Sequence, residues 1–396
     1  MLMLSGIINI EWWEALLISL AYTHITIISV TLYLHRSQAH RSVEFHPVVT
    51  HIFRFWLWLT TGMNTKEWIA VHRRHHATVD TMGDPHSPSV FGLRNVLLKG
   101  AELYREASKD LSLRQRYGYG APIDWLELKV YSAFPGGGVL AMFVINFYLF
   151  GFIGITITAI QMCWIPFFAA GVVNGLGHHT GYRNFETPDN STNLLPIGIL
   201  IGGEELHNNH HSFANSAKFS IRPWEFDLGW LYIRILGAMK LANIKSAYRL
   251  NFTEKKDGNP SDRSNAKAVV SNRLIILSNY GQLVLKKIYR EECQTLSGMA
   301  LVRLKQIKKI LLKESTRLTD IEKSLLGSCF DSHARLTVAY DFREKLTKLY
   351  GLRTTDAYSV IPFINDWCES AEKTKITALR EFSARLKSYS FLAEPR

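Results

Sequence analysis

The stretch His72-Arg73-Arg74-His75-His76 places three imidazoles within five residues, at spacings i, i+3 and i+4. On a helix those positions share one face, so the three rings converge on a small volume. Neutral imidazole is the commonest metal-binding side chain and suits iron, copper, nickel and zinc. The adjacent rings of His75 and His76 point about 100° apart on a helix of 3.6 residues per turn. One ion uses such a pair poorly, whereas two neighbouring ions can divide it. The competing reading is a solvated basic helix face with incidental histidines.

Two further clusters weigh against that reading. Downstream, Glu204-Glu205-Leu206-His207-Asn208-Asn209-His210-His211 repeats the same histidine spacing. Upstream lies His35-Arg36-Ser37-Gln38-Ala39-His40-Arg41. An i, i+5 pair diverges by about 140° on an ideal helix, so either the helix frays there or His35 and His40 reach different ions. Asn174 and His178 (i, i+4) share one helical face at the end of a charge-free stretch. The candidate ligands are thus His35, His40, His72, His75, His76, His178, His207, His210 and His211. Nine imidazoles exceed one ion and suit two ions of four or five ligands each. A structural zinc would use four and close its site. No HExxH is present, which argues against a zinc protease.

The histidines gather where apolar segments end. Residues 12–34 carry no charge beyond Glu14 and are long enough to cross a bilayer. No Lys or Arg precedes Arg36, and Arg36 and Arg41 follow directly, so the positive-inside rule puts His35 onward in the cytoplasm. The N-terminus lacks the pattern of a removable signal peptide, and the span is expected to remain. His24, inside it, reads as a packed or hydrogen-bonded core histidine. Residues 47–63 are apolar but include His51 and Arg54, and lie between two histidine clusters that must meet on one side. They read as an interfacial or re-entrant helix. Asp84-Pro85-His86-Ser87-Pro88 reads as a turn. Residues 92–130 are polar and helix-like, with Lys99, Arg105, Lys109, Arg114 and Arg116 free to face phosphates or only solvent. Between Lys129 and Arg183 no side chain is formally charged. That stretch accommodates two spans joined near Gly151–Gly154, starting and ending on the cytoplasmic side. Residues 224–239 mix aromatic, apolar and charged residues, as an interface-lying helix does. The fold class expected is an all-α membrane protein, with about three transmembrane helices, interfacial helices and a cytosolic histidine-rich cap.

Charge separates this part from the rest. Residues 1–238 carry 17 basic and 17 acidic side chains, leaving 29 and 17 for the remainder, so the net +12 lies entirely C-terminal. A basic lobe after an apolar part suits a membrane enzyme facing anionic headgroups; nucleic acid is the second explanation. The domain reading is 1–249 for the membrane part, 250–271 for a polar linker, and 272–396 for a basic helical cytosolic extension with no catalytic motif. Cys163, Cys293, Cys329 and Cys368 form no CxxC pair, which fits a reducing compartment.

Together HRSQAHR, EWIAVHRRHH with DPH downstream, NGLGHH and GEELHNNHHSF resemble the membrane fatty-acid desaturases of acyl-CoA, delta-9-like type, bacterial members especially, over roughly residues 12–245. The resemblance implies a di-iron centre at the cytosolic face, in a multi-pass protein of a bacterial inner membrane. It implies that the nine histidines are ligands, that Asn174 holds one iron through a water, and that Glu204 and Asp84 orient ligands. Trp68 then lies at the substrate entrance. Family members with a defined acyl-CoA headgroup site carry Arg and Asp where this chain has Ala70 and Val71, which leaves the carrier open between CoA and lipid. Only one span precedes the first histidine box, where animal relatives have two, so the acyl tunnel is expected to be partly open to lipid. No heme or flavin module is recognisable, so electrons are expected from a separate ferredoxin, rubredoxin or cytochrome b5 type donor with its reductase.

An unactivated methylene has no useful acidity, and no side-chain base removes its proton; breaking that bond is cofactor work with O₂. The leading reading is therefore O₂-dependent desaturation of a long saturated acyl chain near C9. Hydroxylation by the same centre is the alternative enzyme. A non-catalytic metal-binding membrane anchor with a basic lobe is the alternative of another class.

Overall fold

The computed structural model describes residues 6–249, 252–254, 263–351 and 357–391. The chain divides into two units, Met1–Arg183 with Asp189–Tyr248, and Asn184–Pro188 with Arg249–Arg396. Helices dominate both, with three short two-stranded pairings beside them.

In the first unit, α1 (Trp12–Ser29) opens with a capping box between Glu11 and Glu14 and continues as a π-helix over Val30–Ala39. The combined helix, Trp12–Ala39, is one of two among the described residues that are long and apolar enough to cross a membrane. The other is Phe152–His178. It begins as α7 (Phe152–Ile165), passes through a π-helical stretch at Pro166–Val172 and ends in a 3₁₀ turn at Leu176–His178. The apolar helix α6 (Pro135–Phe150) precedes it. One residue, Gly151, joins α6 to α7 at a φ of 62° that side chains other than glycine rarely adopt. A Cβ on Gly154 would lie 2.0 Å from the Asn146 carbonyl oxygen, so the hairpin closes only with glycine there. Inside it Asn146 Nδ2 donates to Thr158 Oγ1 at 2.9 Å, pairing two polar groups that lipid could not satisfy.

Helix α2 (Pro47–Thr61) packs on α6 and α1. It buries Arg54 against Glu127 (2.9 Å) and Asp124 (2.7 Å) while turning Val48, Ile52 and Phe55 outward. Helix α3 (Thr65–Ala77) starts at Asn64, whose side chain accepts from Glu67 N–H, and carries the central histidine cluster. Then come α4 (Leu93–Ser108), α5 (Leu111–Tyr117), the short α8 (His207–Ser212) and α9 (Leu228–Ala238). Strand β1 (Val43–Phe45) pairs antiparallel with β4 (Ala242–Ile244), and β2 (Ile197–Gly198) pairs parallel with β3 (Phe226–Asp227). His24 sits on α1 with its Nε2 3.0 Å from Tyr232 Oη of α9, a hydrogen-bonded histidine within an apolar helix.

The second unit holds α10 (Arg263–Ser271), α11 (Arg273–Tyr280), α12 (Lys286–Thr295), α13 (Gly298–Gln306), α14 (Asp320–Phe330), α15 (Ala334–Gly351), α16 (Ile361–Lys373) and α17 (Thr377–Ser388). Strands β5 (Phe252–Glu254) and β6 (Tyr389–Phe391) pair antiparallel. One apolar core runs through it, centred on Ile288, Leu336, Trp367 and Phe382. The linker expected over residues 250–271 is corrected in part. Composition there is polar, yet α10 buries Asn265, Ala266, Ala268 and Val269 in that core, and Asn265 Nδ2 donates to the carbonyls of Leu386 and Tyr389. Residues 250, 251 and 255–262 lie outside the described residues.

Candidate metal centre

Four segments far apart in sequence bring the nine histidines to one place, in two groups. His35, His40, His72, His76 and His210 form one; His75, His178, His207 and His211 form the other. Within each, the ligating atoms all lie within 4.8 Å of one another. Adjacent His75 and His76 go to different groups, as the 100° helical step requires.

The expectation that His35 and His40 sit on a frayed helix or serve different ions is corrected. The π-helix over Val30–Ala39 closes i→i+5 hydrogen bonds, and His40 N–H donates to the His35 carbonyl at 3.1 Å. That winding stacks residue i+5 over residue i, so both rings face the same group.

Nε2 is the inward atom throughout. His40 and His72 approach at 2.8 Å through their Nε2 atoms, His35 and His210 at 3.0 Å, and His210 and His76 at 2.9 Å. In the second group His178 and His207 lie 3.0 Å apart, and His75 and His211 3.4 Å. Nitrogens about 2.1 Å from a common ion are separated by about 3.0–3.4 Å along the edges of an octahedron or tetrahedron. The observed separations fit that donor set. Burial, followed by the neighbouring imidazoles, holds His40, His72, His76, His207 and His210 well below the ordinary histidine range. His211 is lowered to about 4 in the same way, although Asp189 partly opposes it. These six rings are therefore neutral, the form that binds a cation.

Carboxylates fix the outer nitrogens. Glu204 accepts from His35 Nδ1 at 2.8 Å and from the Thr31 hydroxyl. Asp84 accepts from His75 Nδ1 at 2.9 Å and from the backbone N–H of Asp80 and His86. Two acids that the sequence pattern does not flag do the same. Asp80 accepts from His178 Nδ1 at 3.1 Å, and Asp189 faces His211 Nδ1 at 3.5 Å. Burial alone would raise Asp80 and Asp84, but His178 and His75 outweigh it, taking Asp80 to about 2 and Asp84 lower still. Glu204 is lowered by His35 against the same burial. Asp80, Asp84 and Glu204 stay ionised, so the Nδ1 atoms facing them donate and the opposite Nε2 lone pairs remain free for a metal.

Arginines of the motifs are structural. Arg36 is buried, paired with Asp227 at 2.9 and 3.1 Å, donating to the Gly202 and Ala217 carbonyls and lying 3.8 Å over the Phe219 ring. It ties the first histidine segment to the loops around the third. Arg73 donates to the carbonyls of Gln38, Ala39, Tyr117 and Tyr119, joining α3 to the end of the first box.

A cavity of about 360 Å³ reaches His35, His72 and His207 at one end and Ile27, Val30, Ile165 and Val173 of the apolar helices elsewhere. Trp68 lines it and stacks on His72 at 4.9 Å. Asn174 lines it too, and its Nδ2 donates to the Ala170 carbonyl at 3.1 Å. His86, in the turn at residues 84–88, also faces the cavity; its Nε2 is buried with no hydrogen-bond partner among the described residues, and burial pushes the ring down to about 3. Ala70 and Val71 are buried beside Leu113, and Val71 also lines the cavity, offering it an apolar side chain and no charge.

Long apolar helices joined to a buried double cluster of imidazoles are the features of a membrane-associated protein with a candidate metal centre. The chain belongs to the fatty acid desaturase family, whose model matches residues 11–263. It is 29% identical over 249 residues to a delta-9 desaturase-like protein of Arabidopsis thaliana, covering 58% of this chain and 76% of that one. It is 31% identical over 247 residues to an acyl-CoA 5-desaturase of Anemone leveillei (58% and 71%). It is 32% identical over 248 residues to a probable chloroplastic lipid desaturase of Arabidopsis thaliana (59% and 64%). It is thus a fatty acid desaturase by family, an oxidoreductase of lipid metabolism similar to delta-9 desaturase-like proteins among others. A transposase model matches residues 277–390, within the second unit.

Proposed function

We propose that this protein is an O₂-dependent fatty acyl desaturase that inserts a cis double bond near C9 of a long saturated chain. In this reading two irons occupy the two histidine groups, and electrons arrive from a separate donor protein. The observation that carries it is the cavity, whose histidine end meets an apolar passage between membrane helices. When bound, the reduced iron pair and O₂ supply the oxidant that an unactivated methylene requires.

The protein's own side chains do the rest. The nine imidazoles would hold the ions, and Glu204 and Asp84 orient His35 and His75. Asn174 would serve one ion through a water, and its amide is steadied by the Ala170 carbonyl. The apolar lining excludes water and holds two adjacent carbons beside the metals, which sets the double-bond position. Trp68 forms part of the entrance wall, and Arg105, exposed at the cavity rim, meets the phosphates of the carrier. Ala70 and Val71 offer the carrier (CoA or glycerolipid) no charge, so in this reading its phosphates are gripped at that rim.

The membrane part crosses three times, through Trp12–Ala39, α6 and Phe152–His178, with the histidine end cytoplasmic. Expression in a host deficient in unsaturated lipids, with double bonds located by mass spectrometry, tests the activity. Monounsaturated chains with about two irons per protein are expected; hydroxylated chains without unsaturation would replace desaturation by hydroxylation.

A further inference from the structure

The two histidine groups are not equivalent in what stands behind them. In the four-histidine group, three rings have a carboxylate at Nδ1: His75 with Asp84, His178 with Asp80, and His211 with Asp189. In the five-histidine group, the ion pairs include one such contact, His35 with Glu204. One Nδ1 in each group, that of His207 and that of His210, is buried with no hydrogen-bond partner among the described residues, so the difference lies in the three carboxylates against one.

We infer that Asp80 and Asp189 are positioning residues for one metal only, making the ion of the four-histidine group the more electron-rich of the pair. A carboxylate on Nδ1–H raises the basicity of the opposite nitrogen and fixes the ring, an effect worth about 10–100-fold in metal affinity when removed. Three anions around one ion also favour its higher charge state. This rests on the two-iron reading above.

Asp80 is built for the task. It sits at a φ of 58°, one of three non-glycine residues with positive φ among those described, a conformation that aspartate tolerates better than most. There its carboxylate takes the Ser87 hydroxyl at 2.6 Å, the Asn190 N–H at 2.7 Å and His178 at 3.1 Å. Through Asn190 it is tied to the loop that also carries Asp189. Asp189 in turn accepts from the Ser191 N–H at 2.9 Å and faces His211. One strap thus braces two ligands of the same ion from two parts of the chain. No link of this strap reaches the five-histidine rings among the contacts described.

The test is ⁵⁷Fe Mössbauer spectroscopy and iron content of the full chain in nanodiscs, for wild type, Asp80→Asn with Asp189→Asn, and Glu204→Gln. Asparagine keeps shape and an acceptor oxygen while removing charge. Wild type is expected to show two distinct doublets of equal area. The double variant is expected to alter or deplete one doublet, losing that iron to a chelator about 10–100-fold more readily, with the other doublet unmoved. Glu204→Gln is expected to affect the other doublet. Ser87→Ala, which loosens Asp80 without changing its charge, should shift the same doublet by less. If the double variant moves both doublets equally, or neither, the inference falls while the two-iron reading stands. If wild type does not retain two irons per chain, that reading falls and takes the inference with it.

Discussion

The two units of this chain solve opposite packing problems. The first buries His35, Arg36, Arg54, His75, Asp84, Glu127, Glu204 and Asp227, and turns Leu16, Ile25, Ile52, Phe55, Val144 and Tyr148 outward. The second buries Ile288, Leu336, Trp367 and Phe382 and keeps its excess of Lys and Arg on the surface. Fourteen of the 15 histidines lie in the first unit and one, His333, in the second. An interior of polar groups is stable only if each finds its partner, so its failures are abrupt. An apolar interior loses stability in proportion to the volume removed, and its failures are graded.

That contrast is open to experiment. The largest effect is expected for His210→Ala, whose Nε2 lies within 3.0 Å of both His35 and His76. It should abolish desaturation, by at least about 10³-fold, and lower iron content while leaving helix content intact by circular dichroism. Retained activity would remove this ring from the centre. Next is Arg36→Met, which strands a fully buried Asp227. A cost of about 3–5 kcal/mol should appear as early loss of structure in the first unit, followed by protease mapping on heating. In the second unit, Trp367→Ala removes a core side chain and the hydrogen bond from its Nε1 to the Phe342 carbonyl. It should destabilise that unit by about 3–5 kcal/mol without changing iron content; lost iron would show the units to be energetically one. A smaller effect is expected of Ile27→Phe, which narrows the cavity. It should shift preference towards shorter acyl chains by about tenfold in kcat/KM. Least of all, replacing the exposed Arg303, Lys305, Lys308 and Lys309 by glutamine should change the melting of either unit by no more than about 0.5 kcal/mol.

Much of the centre was legible because helical spacing is a local property. The repeat at 72, 75, 76 and at 207, 210, 211 places rings on one face before any tertiary contact forms, and the step between His75 and His76 already calls for two ions. Asp84 and Glu204 were readable only through the family resemblance, which matches their motifs. Asp80 and Asp189 were not. Asp80 reaches a histidine 98 residues away, and nothing about an aspartate in a turn announces that partner. The π-helical winding that unites His35 and His40 also escaped, since intrinsic propensity favours the α-helix and tertiary demand imposes the wider turn. Composition misled at 263–271, where a polar-looking stretch forms a helix whose few apolar residues all face the core.

What the residues alone determined, then, is the inventory: apolar runs able to span lipid, nine imidazoles at helical spacings, and a basic lobe apart from them. Each follows from chemistry within a turn or two of helix. Which ring joins which group, which acid stands behind it, and where the apolar cavity meets the histidines were decided only by the tertiary structure. Those contacts join segments up to 175 residues apart, and short-range spacing carries no information about which distant partner a side chain will meet.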